Sequence, residues 1–297
     1  MHTIPLSNTN PGLPPVIPSQ DASAEPLNPR HQNELLRFLE QRPVHCAYLT
    51  GLIQDNGISN PLNRGGFYVH RNNLGQIQGV GLIGHATIIE ATNDDSLRAL
   101  AGAAKTFKAT HLVMCEERWA QKLWEYYPTS KSAIRCERSE LLFELRWPAT
   151  VSHTNRHQLR LATLEDLEML IPVHATMAFE ESGVDPRNAD YKGFVERYKR
   201  RILQGRTWVF TQNDELIFKA DVVTETAQTS YVEGIWVNPQ TRESGQGRSF
   251  MAQLAGMLLW RSPSISLLVN EENTKAQSFY KRCGYRVRGK YKTVFLK

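Results

Sequence analysis

The chain has 297 residues, of which 41% are hydrophobic and 22% are charged, and its formal net charge is +5. This composition is that of a globular protein with room for two ordinary domains, and the charge is too small to indicate nucleic-acid binding. No apolar run is long enough to span a bilayer, so we expect no transmembrane helix and no membrane partner.

The N-terminus and the cysteines indicate a cellular compartment. The N-terminus has neither the basic nor the apolar segment of a secretory signal, and the four cysteines form no Cys-x-x-Cys pair. Both features favour the reducing cytoplasm. The nine histidines show no metal-ligand spacing, so we predict that the protein binds no metal.

The first half of the chain is predicted to be an α/β domain that follows a tail. Residues 1–29 are rich in proline, serine and asparagine and are expected to be disordered. In residues 30–147 the apolar periodicity predicts two helices, three strands, a helix, a strand, a helix and a long last strand. These elements are expected near residues 31–41, 44–54, 66–70, 76–83, 86–90, 94–107, 111–115, 117–127 and 134–147.

Residues 156–297 repeat this order of elements after a linker at 147–157. The predicted elements lie near residues 159–161, 164–178, 189–204, 206–211, 215–224, 230–237, 250–260 and 265–269, followed by a helix and a strand at 285–295. The sequence therefore predicts an α/β fold, an α+β arrangement around a mixed sheet, with two similar domains in tandem.

A glycine loop follows the strand that ends at Val237. It reads Arg-x-x-Gly-x-Gly at Arg242, Gly245 and Gly247, and a helix-periodic segment follows from about Phe250. A strand, a glycine loop and a helix N-terminus direct free N–H groups and the positive end of the helix dipole to one point. Because a guanidinium suits phosphate oxygens, the loop predicts recognition of a pyrophosphate. The alternative is an ordinary glycine turn that caps a core helix.

A second motif follows the strand at 265–269. Asn273 is predicted to cap a helix, and Ala276 and Tyr280 lie four residues apart on one face of it. Gly284 is expected to end this helix in the left-handed conformation, and Tyr285 begins the last strand.

Together the two motifs resemble those of the GNAT superfamily of N-acyltransferases. The resemblance reaches the C-terminal half residue by residue and the N-terminal half only in the order of elements. It implies that acetyl-CoA binds at the glycine loop and that a backbone N–H of the preceding strand polarises the acetyl carbonyl. The residues implied for acetyl-CoA binding are Ile235, Val237, Arg242, Gly245, Gln246, Gly247, Arg248 and Asn273.

The N-terminal domain is expected to be a degenerate GNAT-like copy. Where the second half has its glycine loop, residues 91–95 lack glycine and carry two carboxylates, Asp94 and Asp95. These charges repel a pyrophosphate. We therefore expect that this domain does not bind coenzyme A, and that it shapes the acceptor pocket or covers a hydrophobic edge.

Two residues are candidates for catalysis. Tyr280 is the predicted general acid, because a phenol stays protonated at neutral pH and can donate to a thiolate; the alternative is a core aromatic. Glu233 is the predicted general base, because strand alternation places it on the face of Ile235; it is alternatively a ligand of a cationic acceptor or a surface residue. Glu180 and Glu181, just after the first C-terminal helix, are candidates to attract a positively charged amine; the alternative is a solvated carboxylate pair in a loop.

The resulting prediction is a cytoplasmic, acetyl-CoA-dependent N-acetyltransferase that works by direct attack of an amine on the thioester. The acceptor is a small-molecule or protein amine, the protein is a monomer or a homodimer, and no nucleic acid takes part. Two alternatives remain open: an acyltransferase with a different acyl donor, and a non-catalytic CoA-binding sensor or interaction module. Fold alone does not specify the acceptor.

Overall fold

The computed structural model describes residues 23–127, 133–147, 158–242 and 245–297. The first half comprises β1 (Glu25–Pro26), α1 (Gln32–Leu39), α2 (Ala47–Asn56), β2 (Gly65–Arg71), β3 (Ile77–Gly84), β4 (Ala86–Ala91), α3 (Asp94–Ala104), β5 (Leu112–Glu116), α4 (Glu117–Tyr126) and β6 (Ile134–Leu145). The second half comprises β7 (Arg160–Leu161), α5 (Leu167–Ser182), α6 (Pro186–Ala189), α7 (Tyr191–Leu203), β8 (Thr207–Gln212), β9 (Glu215–Glu225), β10 (Ser230–Val237), α8 (Gln246–Leu258), β11 (Ile265–Asn270), α9 (Thr274–Arg282) and β12 (Arg286–Leu296).

The predicted fold class is confirmed, because the order of elements occurs twice around one mixed sheet. The predicted tail extends too far at its C-terminal end. Glu25 and Pro26 pair with β2, and Leu27 is buried. Its apolar side chain packs in the core of the first half with Leu35 and Phe67, and removal from water stabilises it there. Residues 1–22 and most of the predicted linker lie outside the described residues, and the domain boundaries stay predictions.

The two halves exchange their last strands. The sheet has the order β1-β2-β3-β4-β5-β12-β6-β11-β10-β9-β8-β7. If β1 to β6 of the first half are matched with β7 to β12 of the second, the two ends of the sheet have the same strand order. Strand β6 from the first half pairs with β11, from Ile265↔Leu145 to Asn270↔Glu140. Strand β12 from the second half pairs with β5, from Tyr291↔Glu116 to Phe295↔Leu112. Each half therefore completes the sheet of the other.

Helices cover both faces of the C-terminal part of the sheet. Trp208 of β8 packs in a core with Phe250 of α8, whereas its neighbour Val209 packs in a second core with Phe194 of α7. Because successive strand residues point to opposite faces, α8 and α7 lie on opposite sides of the sheet. Phe143 of the exchanged strand β6 belongs to the core beneath α8. In the part of the chain that the structure describes, no helix is long and apolar enough to cross a membrane.

Candidate active site

The parallel strands β10 and β11 separate after two residues. They pair only at Ser230↔Ile265 and Tyr231↔Ser266, whereas the corresponding strands β4 and β5 of the first half pair over four positions. Beyond Tyr231 the edge of β10 therefore has no partner strand on the β11 side among the residues that the structure describes. Backbone N–H and C=O groups at such an edge are available to an extended ligand.

A β-bulge at Gly234 interrupts the alternation of side chains along β10, so residues before and after it do not follow the usual two-residue period. Glu233 lies opposite Asp221 of β9, but Trp236, three residues later, lies opposite Lys219, only two residues from Asp221. Gly234 takes up the extra residue at φ +58°, in the left-handed region. The predicted common face of Glu233 and Ile235 is therefore wrong.

The bulge places Glu233 and Trp236 on the side of α7, because residues directly opposite each other share a face of the sheet. Ile235 and Val237 instead pack against the core beneath α8. The strand thus presents its candidate base and its candidate donor-binding residues on different sides.

The glycine loop leads into the N-terminus of α8. Gly245 is the N-cap residue at φ +82°, and among the described residues no side chain caps this end. Gly247 is buried, and a Cβ there would lie 3.1 Å from a methyl group of Val237 and 3.5 Å from the ring of Phe279. The positive end of the α8 dipole therefore lies at this loop, where it favours an anion, and glycine keeps the strand, the loop and α9 in close contact.

Two predicted arginines are exposed beside this helix end. Arg242 donates from Nε to the carbonyl oxygen of Val237 at 3.1 Å, and Arg248 lies in the first turn of α8. Both guanidinium groups carry positive charge to the side where the dipole of α8 is positive. Gln246 is half-buried in the same turn.

The corresponding helix of the first half has a different N-terminus. Asn93 caps α3, with its Oδ1 accepting from the N–H of Ser96 at 2.9 Å. Asp94 in the first turn pairs with Lys122 at 2.9 Å and with Arg98 at 3.3 Å. The side chain of Asn93 therefore occupies one donor of this helix end, and the first turn of α3 carries two carboxylates, Asp94 and Asp95.

The first half also has an ion network near the ends of β4 and β5. Arg42 lies 3.3 Å from Glu90 and 2.5 Å from Glu116, and Arg118 lies 2.7 Å from Glu116. Glu90 also accepts a hydrogen bond from the Tyr291 hydroxyl at 2.9 Å. In the first half the two parallel strands thus stay paired and end beside paired charges, whereas β10 and β11 separate.

Helix α9 begins and ends as the sequence predicts. Asn273 caps it by accepting from the N–H of Ala276 at 2.9 Å, and Gly284 follows the helix at φ +95°. Ala276 and Tyr280 both pack against the core beneath α8, so they share a face. The side-chain oxygen of Asn273 is thus engaged in the cap, and its contribution to a donor site is to fix the start of α9.

Tyr280 is surrounded by aromatic rings. Its ring centroid lies 6.2 Å from that of Phe143, 5.3 Å from that of Phe279 and 5.7 Å from that of Tyr285. Burial of the phenol raises the pKa of Tyr280 well above its ordinary value. Within the described residues no protein group hydrogen-bonds to its hydroxyl, which therefore remains protonated and available as a donor.

Three carboxylates, Glu140, Glu181 and Glu233, form an acidic cluster near β10. The surrounding protein, with the charges of Glu233 and Glu140, raises the pKa of Glu181 to about 7. Desolvation also raises the pKa of Glu233, although Arg201 and the Tyr231 hydroxyl oppose this shift. Glu181 and Glu233 nevertheless expose surface to solvent. Such groups retain a proton more readily than ordinary carboxylates and favour a neighbouring cation.

The first half contributes directly to this cluster. Glu140 lies on β6, and Tyr48 of α2 places its ring 6.4 Å from that of Tyr231 in an edge-to-face contact. Arg138 of β6 donates from Nε to the carbonyl oxygen of Glu181 at 2.7 Å. An arginine at this position satisfies the free carbonyl groups at the C-terminus of α5 and complements its dipole.

Sequence reasoning missed several of these residues. Glu140, Tyr48 and Arg138 belong to the half that carries no motif, so no local pattern connects them with the site. Lys219 and Asp221, in contrast, had a signal: two charges interrupt the apolar run of β9, and buried charges need partners. In the described ranges no group of three or more histidine, cysteine or carboxylate side chains has the arrangement of a metal site.

The C-terminal half of the chain matches a known protein family. Residues 178–294 match the family model of the acetyltransferase (GNAT) domain. No curated protein matches the chain.

Three solved structures share the fold over most of the chain. A Drosophila protein is 13% identical, with 92% of this chain and 98% of that chain covered and a TM-score of 0.65. A GCN5-related N-acetyltransferase from Sphaerobacter thermophilus is 12% identical, with 91% and 94% covered and a TM-score of 0.56. A GNAT-family acetyltransferase from Colwellia psychrerythraea is 11% identical, with 93% and 100% covered and a TM-score of 0.52.

Proposed function

Since the C-terminal half of the chain carries a GNAT acetyltransferase domain, we propose that the protein is an acetyl-CoA-dependent N-acetyltransferase for a positively charged amine. The observation that carries the proposal is the separation of β10 and β11 beside the N-terminus of α8, where Gly245 is the N-cap residue. An open strand edge suits an extended amide-containing arm, and the positive end of a helix dipole suits the pyrophosphate that follows it.

The donor is held by backbone and guanidinium groups. The backbone of the glycine loop at Gly245 and Gly247 binds the pyrophosphate, and Arg242 and Arg248 add positive charge from the exposed side. The free edge of β10 at Ile235 and Val237 binds the arm, and one of these N–H groups polarises the thioester carbonyl. A donor of this kind contributes about 3 kcal/mol to the transition state.

The acceptor binds beside the acidic cluster. Glu140, Glu181 and Glu233 attract an amine in its protonated, cationic form. The amine has to lose a proton before it attacks, and the raised pKa of Glu233 makes this carboxylate a better proton acceptor than an ordinary glutamate. Tyr280 supplies a proton to the departing thiolate. The chain offers no Gly-x-Ser-x-Gly nucleophile, so transfer is direct.

The N-terminal half has the role of completing the acceptor side. It supplies Glu140 and Tyr48 to the surroundings of Glu233 and fixes the end of α5 through Arg138. This arrangement supports the interpretation that the half shapes the acceptor pocket without binding coenzyme A. All four cysteines are free thiols in the structure, which supports the assignment to the reducing cytoplasm.

Isothermal titration of acetyl-CoA into the purified protein and into Arg248→Glu tests the proposal. The exposed position of Arg248 leaves the core untouched, so a folded variant with at least about tenfold weaker binding identifies the N-terminus of α8 as the donor site. Lys108→Glu, an equal charge reversal on an exposed loop of the first half, is the control and is expected to bind normally. An intact protein that binds neither acetyl-CoA nor coenzyme A contradicts the proposal.

A further inference from the structure

A buried ion pair lies behind the bulge of β10. The side chains of Lys219 and Asp221 on β9 have no exposed surface, and Nζ of Lys219 lies 2.6 Å from Oδ2 of Asp221. The same Nζ donates to the carbonyl oxygen of Gly234 at 2.9 Å. Removing two ions from water costs several kcal/mol per ion, and apolar residues of similar volume often stabilise a core better. Stability therefore gives no sufficient reason for this pair.

The neighbours of the pair are arranged around Asp221. Thr207 donates to Oδ1 of Asp221 at 2.9 Å and Tyr198 donates to it at 3.3 Å. Arg201 lies 3.5 Å and His174 lies 4.0 Å from Oδ2. Asp221 is thus held from α5, α7 and β8, and it fixes the position of the Lys219 ammonium in turn.

The ion pair lies in close contact with Gly234 at the bulge. A Cβ added to Gly234 would lie 2.5 Å from Oδ2 of Asp221 and 2.9 Å from Nζ of Lys219, so only glycine fits there. The described residues include no cis peptide, and the C=O and N–H of a trans peptide point in opposite directions. With the Gly234 carbonyl held by Lys219, the N–H of Ile235 points away from the pair.

We infer that Lys219, held by Asp221, is a positioning residue that fixes the Gly234–Ile235 peptide so that the Ile235 N–H meets the thioester carbonyl. The inference rests on the proposed function, in which the free edge of β10 binds the acyl donor. Lys219 has no exposed surface, so it contacts no substrate, and it reaches the strand edge through its hydrogen bond to the Gly234 carbonyl. Its charge also lowers the pKa of Glu233, so the hydrogen–deuterium exchange of β10 is the readout that reports the positioning alone.

Steady-state kinetics of Lys219→Met test the catalytic consequence. Loss of an oxyanion donor lowers kcat by about 100- to 1,000-fold, and a displaced donor is expected to cost about 10- to 100-fold. The dissociation constant of coenzyme A, which lacks the acetyl group, is expected to change by less than about threefold, since its contacts at α8 are retained.

Thr207→Val is the matched control, because it removes a hydrogen bond to Asp221 and leaves the contact between Lys219 and Gly234 in place. It is expected to keep kcat within about threefold of the wild type. Should Lys219→Met fail to fold, Asp221→Asn loosens the ammonium with little change of shape and is expected to lower kcat in the same direction. A folded Lys219→Met or Asp221→Asn protein with the kcat of Thr207→Val overturns the inference.

Hydrogen–deuterium exchange of the peptide that covers β10 gives a readout independent of activity. Exchange is expected to be faster in Lys219→Met than in the wild type and unchanged in Thr207→Val. Unchanged exchange in Lys219→Met overturns the positioning itself. A wild-type protein that neither binds coenzyme A nor acetylates amines overturns the proposed function, and with it the catalytic purpose of Lys219.

Discussion

Tyr280 and Phe143 have ring centroids 6.2 Å apart, although Tyr280 belongs to the second half and Phe143 to the first. The contact exists because β6 is inserted beside β11, beneath the helix that carries Tyr280. The candidate acid therefore rests on a strand from the half that carries none of the acetyl-CoA motifs.

Tyr280→Phe is expected to lower kcat by about 10- to 100-fold, because the departing thiolate loses its proton donor while the ring contacts remain. The dissociation constant of acetyl-CoA is expected to stay unchanged in titration calorimetry. Tyr285→Phe removes a neighbouring buried hydroxyl and serves as the control with normal kcat. Equal rates for the wild type and Tyr280→Phe would assign Tyr280 to packing alone.

The acidic cluster predicts a pH dependence of acceptor binding. Burial and the neighbouring carboxylates raise the pKa of Glu181 to about 7, so its charged fraction grows as the pH rises through about 7 and KM for a cationic amine is expected to fall. In Glu181→Gln this fall is expected to be smaller and KM at high pH larger. Initial rates measured across this range with a diamine acceptor provide the test, and an identical pH profile for the variant would exclude Glu181 from acceptor binding.

Glu90 predicts a pH dependence of stability with a defined sign. Burial raises its pKa from 4.5 to about 7, so the folded protein keeps this proton longer than the unfolded chain. The free energy of unfolding contributed by this group is expected to fall by about 3 kcal/mol as the pH rises from about 4.5 to 7, and to stay level above.

Glu90→Gln removes this titration, and denaturant unfolding at several pH values measures the difference. Glu125→Gln, at an exposed position on α4, is the control and is expected to follow the wild type. Parallel curves of unfolding free energy for the wild type and Glu90→Gln between about pH 5 and pH 7 would contradict the raised pKa of Glu90, because this range lies between the pKa values of the group in the unfolded and folded states.

The exchange of β6 and β12 predicts that the halves fold only together. A fragment of residues 158–297 lacks β5 and β6, which leaves one edge of β11 unpaired, leaves β12 without either of its partners and removes Phe143 from the core. Alone, this fragment and a fragment of residues 1–147 are expected to aggregate, because each exposes unpaired strand edges. Co-expressed, with a tag on one, they are expected to purify as a one-to-one complex. A monomeric 158–297 fragment with a cooperative melt would contradict this expectation.

The positions of the elements could be predicted from the sequence because apolar periodicity is local. The strand at 77–84 and the cap at Asn273 both lie where the pattern placed them. Helix α8 begins at Gln246, before the expected Phe250, because its first turn is polar and carries no apolar period. The residue Gly234 within an apolar strand was a signal for a bulge, and ignoring it led to the wrong face for Glu233.

Apolar periodicity could not predict which strands pair with each other. Alternation in β6 shows which side chains face a core, but it does not show whether the neighbour is β5 or β11. For this reason the sequence connected Tyr280 with the helix around it and not with Phe143. The contribution of Glu140 to the acidic cluster depends on the same exchange.

The exchanged strands also impose an order on synthesis. Leu112 finds its strand partner Phe295 only after almost the whole chain has been made. Until β12 leaves the ribosome, β5 has an unpaired edge, and a nascent chain in this state is exposed to aggregation. Contacts between such distant residues slow folding, because the chain between them must first be ordered. A cell that makes this protein therefore has to protect an incomplete sheet until synthesis reaches β12.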